Sequence, residues 1–516
     1  MWKAEEGGSS ETFPGRWTRG LEGLTPKADA VMQERARRMV LSFMVRKKIV
    51  WFVYVECLSW DFRFSPIGVK VSWCHGQPSF LISFYSEVQT EFWRETFRYY
   101  VSNLAHVIGV SKKRLLLAYL LISSPKMIPV TPKSPNDVVI VSAVRTPLTR
   151  AKKGGLAKVS PSTLLETVFK GCIPPAFDPS CIQDICIGNV LCPTDAVVSR
   201  MAQLSSGIPY STSLYTVNRQ CSSGLQAVAN IANSIQSGQI SIGLAGGFES
   251  MSTNQMHKQP MPDVDMEHMQ KCPSAMDCLI PMGITSENVS KKYNLTRGQL
   301  DEFAAKSHEK AAKAQALGIF TNEIVAVGDV KKDDGIRPGT TVEALSKLKP
   351  VFDPENGSTT AGNSSQLTDG AAAILLMTRS EAEERGLDIL GVWRSYAVVG
   401  VPPNIMGIGP AVAIPIALSK IHMSIQDVDV FEINEAFASQ AYWCVKELGI
   451  EESKVNPNGG AIALGHPLGC TGARQIATLL HELNRTGKRF GVVSMCIGTG
   501  AGAAAVLEVE HRRSAL

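Results

Sequence analysis

No stretch of this chain is apolar for long enough to cross a membrane as a helix. Its best run, Leu115 to Ile122, falls far short of the ~20 residues that a bilayer core requires. Strong charge of either sign is also missing: a formal net charge of +5 over 516 residues is too mild to argue for nucleic acid, although it suits an anionic small molecule. The 12 cysteines are scattered. Cys181, Cys186 and Cys192, and then Cys272 and Cys278, have none of the CxxC spacing of a zinc site, so no metal is expected. No secretory signal opens the chain, and reduced thiols in an intracellular compartment are the expectation. What is left is the composition of a soluble globular protein, long enough for several domains with sizeable cores.

The chain changes character near residue 135. Residues 1–135 carry six of the eight tryptophans and apolar clusters such as Ile49 to Val55, but no motif and no clear caps or turn signals. This segment reads as an extension with neither a stable fold nor a catalytic role, because local pattern and turn chemistry disagree there. From Asp137 the pattern becomes α/β. Val138 to Val144 is a continuous run expected of a strand buried on both faces. Ile185 to Ile187 reads as a strand and Leu225 to Ser237 as a helix, while Ser241 to Ala245 reads as a strand closed by Gly246 and Gly247.

A weak internal repeat divides this part in two. Ile182 to Asn189 is echoed from Ile425 to Val430, and Cys221-Ser222-Ser223-Gly224 is echoed by Cys470-Thr471-Gly472, each at the start of a helix. The expected domains are therefore an N-terminal half over 136–388 and a C-terminal half over 389–516, with a loop domain inserted in the first at about 251–365. That insert opens with the Met-rich stretch Met256 to Met269, and two helices follow, one announced by the capping-box pattern Thr296 to Gln299.

Four sites carry candidate chemistry. Cys221 follows the strand-like Leu214 to Val217 and precedes a long helix, which places its sulfur where free N–H groups and the helix dipole favour a thiolate. A buried core cysteine is the alternative. His466 lies in the glycine-rich loop Asn458 to Gly469, which lets backbone approach a ligand and suits a positioned base. Cys496 follows the strand Gly491 to Met495 beside a glycine turn, where Gly498 can offer its N–H to an oxyanion. Asn434 follows another strand and either holds a water or an oxyanion or serves as a helix N-cap.

Together these motifs resemble those of the thiolase family. Asn218-Arg219-Gln220-Cys221-Ser222-Ser223-Gly224 is similar to its nucleophile motif, and Asn434-Glu435-Ala436-Phe437 to its NEAF motif. Gly465-His466-Pro467-Leu468-Gly469 is similar to its GHP motif, and Cys496-Ile497-Gly498-Thr499-Gly500 to its second-cysteine motif. The Gly-Thr-Gly turn, Met406 to Pro410, and Asp277 to Gly283 resemble the degradative, peroxisomal 3-ketoacyl-CoA branch, and the likeness covers about Asp137 to Glu508. Ala501 departs from it where a larger apolar residue is expected, which bears on substrate fit.

The resemblance implies a fold of two duplicated α/β halves in five layers, α-β-α-β-α, with an inserted loop domain. It implies thiolytic retro-Claisen cleavage of 3-ketoacyl-CoA to acetyl-CoA and a shortened acyl-CoA in fatty acid β-oxidation. In that reaction Cys221 is the nucleophile, His466 its base and Cys496 the second acid/base, with Asn434 and Gly498 serving oxyanions. Ser365 and Met282 are the implied contacts to coenzyme A, which is a substrate, so no cofactor is expected. A homodimer is implied, with no nucleic acid and no membrane span. The rivals are a biosynthetic acetoacetyl-CoA thiolase running the same chemistry in reverse and a non-catalytic, lipid-binding relative. A peroxisomal location is implied too, although Ser514-Ala515-Leu516 only loosely resembles Ser-Lys-Leu. Glu5 and Glu6 argue against a mitochondrial presequence. A chain beginning at Lys133 is expected to be soluble and to cleave 3-ketoacyl-CoA at least as fast as the full chain; solubility with lost activity would give the extension a functional role.

Overall fold

The computed structural model describes residues 133–510 in full and, before them, the backbone of four strands. The chain divides into two compact units, Met1–Met127 and Ile128–Leu516. In the first, Met39–Arg46 pairs antiparallel with Lys48–Val55, and Val69–Trp73 with Phe80–Phe84. The run Ile49 to Val55, read above as part of a segment without a stable fold, is thus a strand. β-Branched and aromatic residues suit a pleated ribbon even without turn signals beside them. Nothing else of residues 1–132 lies within the described residues.

The second unit is built on one repeated pattern. Its first half contains β1 (Val138–Arg145), α1 (Pro161–Cys172), β2 (Asp184–Gly188), α2 (Asp195–Ser205), β3 (Ser213–Val217), α3 (Ser223–Gln236) and β4 (Ile242–Ser250). A long insertion carries α4 (Met282–Lys292) and α5 (Arg297–Ala316) before β5 (Thr368–Thr378) completes the half. The second half contains β6 (Gly391–Gly400), α6 (Gly409–Ser419), β7 (Val430–Ile433), α7 (Ala438–Leu448), α8 (Leu468–Thr486), β8 (Phe490–Ile497) and β9 (Ala501–Glu508). Strand order in the first half is β1-β5-β4-β2-β3 and in the second β6-β9-β8-β7, with β1 and β6 paired where the halves meet. A parallel bridge between Phe431 and Val455 occupies the place of β3 in the second half. The two orders superimpose strand for strand, so the repeat seen in the sequence is a duplicated topology. In it, the parallel pairs β2–β3, β2–β4 and β7–β8 are joined by crossovers through α2, α3, α7 and α8.

Period-two alternation explains the layers. Along β5, Ala371, Ala373, Leu375 and Met377 face one core with Leu164, Leu165 and Val168 of α1. Ala372, Ile374 and Leu376 face another core with residues of α3 and α8. In β9, Ala503, Ala505 and Leu507 share that central core, whereas Ala504 and Val506 join Ala413, Ile414 and Ala417 of α6. The sheet regions of both halves, continuous through β1 and β6, are covered on both faces, and α3 with α8 fills the space between them. The arrangement is α-β-α-β-α. Each large apolar side chain buried in these cores contributes about 1.5–3 kcal/mol.

Several sequence expectations need correction. β4 does not close at Gly246 and Gly247 but runs through both to Ser250. Glycine is needed there because a side chain on Gly247 would overlap the carbonyl of Gly469 at the start of α8. The insertion holds more than two helices: short turns at Met256–Lys258, Met266–Met269 and Pro273–Met276 precede α4 and α5. The expected capping box is formed at Thr296 and Gln299. Arg145 of β1 anchors the insertion, donating to Glu323 at 2.6 Å and to Asp333 at 2.7 and 2.9 Å.

The first turns of α3 and α8 meet through glycines. A Cβ on Gly224 would lie 2.6 Å from the Gly469 carbonyl, and one on Gly472 would overlap the backbone of Leu225. Gly472→Ala is therefore expected to destabilise the protein by about 1–3 kcal/mol, as overpacking does. Gly298→Ala, in the first turn of α5 with nothing within 4 Å of the new atom, should stabilise it by up to about 1 kcal/mol. Urea midpoints of the two variants, moving in opposite directions, check this.

Candidate active site

Cys221 immediately precedes Ser222, the N-cap of α3. Gln220 before it takes a left-handed φ of 48°, the sharp turn that brings the sulfur round from β3 to the helix start. The cysteine is half-buried among Leu191, Met251 and Leu468. The expectation of a stabilised thiolate needs correction. Burial pushes the thiol up to about 11, against the opposing pull of the N–H groups of Gly498 and of Cys221 itself, which donate to sulfur. At neutral pH the resting group is a thiol, because removing water from the anion outweighs two backbone dipoles.

His466 enters from the other half. Gly465 before it has a φ of 104°, and a side chain there would collide with Thr368. His466 N–H donates to the carbonyl of Gln366 and to Thr368 Oγ1, both at 3.2 Å. In the ring, Nδ1 lies 2.7 Å from Thr471 Oγ1 on the first turns of α8. That contact leaves Nε2 as the nitrogen free to exchange a proton. Burial, then the charge of Arg474, pulls the imidazole down to about 3, so it rests neutral and can accept a proton. Thr471 was quoted in the sequence only as part of the repeat. Its role becomes legible once α8 is known to begin at Leu468, which puts residue 471 beside the ring.

Asn434 follows β7 and is not a helix N-cap, because α7 starts at Ala438 with Phe437 as its cap. Its Nδ2 lies 3.5 Å from His466 Nδ1 and 3.4 Å from Nε2, close to the ring but directed at neither nitrogen. Its Oδ1 is buried and takes no hydrogen bond from the protein.

Cys496 stands within β8, one residue before its end, rather than beyond the strand. It is 1% exposed and packs with Met406, Ala436, Met282 and Phe437. Its Sγ–H donates to Gln440 Oε1 at 3.3 Å. Burial first, and then the proximity of Cys221, whose ionised form would repel a second thiolate, raises this thiol well above its ordinary range. Gln440, on α7, carried no signal in the sequence; only the packing of α7 against β8 reveals it. A Cβ on Gly498 would lie 3.7 Å from both Gln220 Cγ and Met282 Sδ, so the turn after β8 closes over the Cys221 turn and Met282 borders it. Ser365 belongs to the same neighbourhood by backbone: its N–H donates to the Ala436 carbonyl at 3.0 Å, and Ser364 bridges Phe437. Ala501 opens β9 opposite Ile497.

The structure thus brings Cys221, Gly498, Met282 and Cys496 to one turn, and Asn434 with Thr471 to His466. Among the described residues no group of three or more His, Cys, Asp or Glu is placed to hold a metal ion, and no helix is long and apolar enough to cross a membrane. The protonation states carry a test. Below its pKa a thiol's reactive fraction rises tenfold per pH unit, so alkylation of Cys221 by iodoacetamide in the substrate-free protein is expected to climb about 10-fold per unit from pH 7 to 9. Peptide mass spectrometry separates it from other thiols. A plateau below pH 8 would show a pre-formed thiolate and overturn the neutral resting state.

Comparison with known proteins agrees with this geometry. A family model described as the thiolase N-terminal domain matches residues 138–380, and one described as the thiolase C-terminal domain matches 387–509. The peroxisomal 3-ketoacyl-CoA thiolase A of Rattus norvegicus is 57% identical over 391 residues, 73% of this chain and 89% of its own length. The peroxisomal 3-ketoacyl-CoA thiolase of Homo sapiens is 56% identical over 391 residues, 73% of this chain and 91% of its own. Among solved structures, the dimeric peroxisomal thiolase of Saccharomyces cerevisiae is similar with a TM-score of 0.70 and 50% identity, covering 73% of this chain and 98% of that one. With both halves matched and identity above one half over most of the relatives' length, the chain belongs to the thiolase family.

Proposed function

We propose that this thiolase is an acetyl-CoA C-acyltransferase that cleaves 3-ketoacyl-CoA with coenzyme A in fatty acid β-oxidation. The observation that carries the reading is the convergence of two neutral thiols, Cys221 and Cys496, on the turn of Gly498, with a neutral histidine supplied by α8's approach. One thiol can bond to carbon while the other moves protons, as a carbon–carbon cleavage through an acyl intermediate requires.

His466 Nε2 takes the Cys221 proton as the sulfur attacks the 3-keto carbon. The tetrahedral oxyanion collapses, the C2–C3 bond breaks, and the acyl group stays on Cys221 as a thioester. The electron pair leaves on acetyl-CoA as its enolate, whose C2 takes the proton of Cys496. The Cys496 thiolate then takes the thiol proton of a second coenzyme A. The new thiolate attacks the acyl-enzyme, releases the shortened acyl-CoA, and Cys221 recovers its proton from His466. The N–H groups of Cys221 and Gly498, which donate to the resting sulfur, are suited to serve the acyl oxyanion. Asn434, with Oδ1 free of protein partners, is suited to hold the water that faces the enolate beside His466. Met282 and Ser365, flanking the Gly498 and Ala436 turns, are the proposed contacts to coenzyme A. Coenzyme A is consumed as a substrate, and the steps as written balance without a metal or redox cofactor.

We infer a homodimer located in the peroxisome. The yeast relative is described as dimeric, and both curated relatives are named peroxisomal. The edge strand β3 and the apolar residues Val197, Met201 and Leu204 exposed on α2 give the first half a surface suited to a second copy. Residues 511–516, with the Ser-Ala-Leu end, lie outside the described residues.

Incubation with a 3-ketoacyl-CoA is expected to leave the acyl group on the peptide holding Cys221. Cys496→Ser should lower steady-state thiolysis by about 10²–10⁴, the usual share of general acid–base catalysis, while slow acylation of Cys221 from a simple acyl-CoA persists. Cys221→Ser should lose both. Mass spectrometry and single-turnover rates decide. An acyl group on Cys496, or near-parental thiolysis by Cys496→Ser, would overturn the two-thiol mechanism.

A further inference from the structure

The mechanism leaves one buried acid near the site unused. Glu249, on β4, is fully buried, and four N–H donors surround it. Its Oε1 accepts from Asn189 Nδ2 and Leu191 N–H, both at 3.1 Å. Its Oε2 accepts from Val190 N–H at 3.2 Å and from Gly469 N–H at 3.1 Å. The first three donors belong to the loop after β2 in the first half, and the fourth to the first turn of α8 in the second.

That last bond is the informative one. The N-cap residue of α8 is Pro467, which makes no side-chain cap. A free N–H in the first turn of a long buried helix must find an acceptor elsewhere. Glu249 supplies it from the other half, with a charge of the sign that the helix N-terminus favours. The same turn holds His466 through Thr471, and Leu468 of that turn packs with Leu191 against Cys221. The carboxylate therefore ties together the two backbone segments that wall the nucleophile on one side and carry its base on the other.

We propose that Glu249 is a positioning residue of this active site: its carboxylate caps α8 across the junction of the halves and holds the His466 turn against the wall of the Cys221 pocket. The proposal rests on the reading of Cys221 and His466 given above. Glu249 touches no reacting atom. The titratable groups that its charge reaches are Cys221, ahead of α3, and Cys470 on α8. Burial raises the carboxyl to about 7 against the opposing pull of its four N–H donors, so it is anionic above pH 8.

Glu249→Gln keeps the shape but turns one acceptor into an NH2 that faces N–H donors. In the full chain, kcat for 3-ketoacyl-CoA thiolysis at pH 8.5 is expected to fall at least about 10-fold with KM within about 3-fold, the signature of a displaced base. The pH profile of Cys221 alkylation by iodoacetamide should also move to lower pH, by at least about 0.5, because the anion beside the thiol is gone. Glu249→Asp should restore that profile but not kcat, since its carboxylate falls one methylene short of Gly469. A kcat for Glu249→Gln within twofold of the parent overturns the proposal, as does an unchanged alkylation profile, which a merely structural role would leave in place. Should Glu249→Gln fail to fold, parental kcat in Glu249→Asp overturns it instead. Alkylation needs no acyl substrate. A parent chain inactive in thiolysis would sink the functional reading, while the profile of Glu249→Gln still decides where the charge of Glu249 acts.

Discussion

Two helices from opposite halves can begin within touching distance only if neither brings a side chain to the contact. That constraint, met by Gly224 on α3 and by Gly469 and Gly472 on α8, with Gly247 beneath them, underlies the rest of the molecule. The central layer exists because these backbones approach at their first turns. The nucleophile precedes one helix and the histidine precedes the other, so the contact that packs the core also assembles the site. Any added methyl at these positions acts on folding and chemistry together.

Burial then sets the chemistry. In a low-dielectric interior every charge without a partner is costly, and all three central groups rest uncharged: Cys221 and Cys496 as thiols, His466 as imidazole. A site in this condition stores protons rather than charges. It ionises only as substrate supplies a carbonyl whose developing oxyanion the N–H groups can stabilise, which couples proton movement to bond formation. The buried arginines of this unit differ in how fully they are paired: Nε and Nη2 of Arg474 take no partner from the protein. Arg474 lies 3.4 Å from Glu432, while Arg145 bonds Glu323 and Asp333 and fastens the insertion to β1. Arg379 likewise joins Asp137 to Glu510, tying the start of the second unit to the end of β9's extension.

By itself the sequence determined the α/β class, the duplication, the presence of a helix soon after Cys221, the capping box at Thr296 and Gln299, and the four motifs of the site. Such features are local: hydrophobic period, glycine turns, capping chemistry and short-range residue order. It also carried the family resemblance, since those motifs lie in separate segments and match together. What only the tertiary structure decided is set by neighbours distant in the chain. β4 runs through two glycines because Gly469 of α8 lies against Gly247 and the backbone of β5 against Gly246, and a reader of local pattern ends the strand there. Cys221 lies between strand and helix as expected, yet burial by Leu191, Met251 and Leu468 reverses the state expected of its sulfur. Gln440 and Thr471 become partners of Cys496 and His466 through helix packing and helix phase. Glu249, an ordinary acid at the end of an apolar strand, gains its place from a Gly469 N–H 220 residues away. Desolvation and cross-half contact depend on the three-dimensional surroundings of a group, and a linear pattern does not contain them.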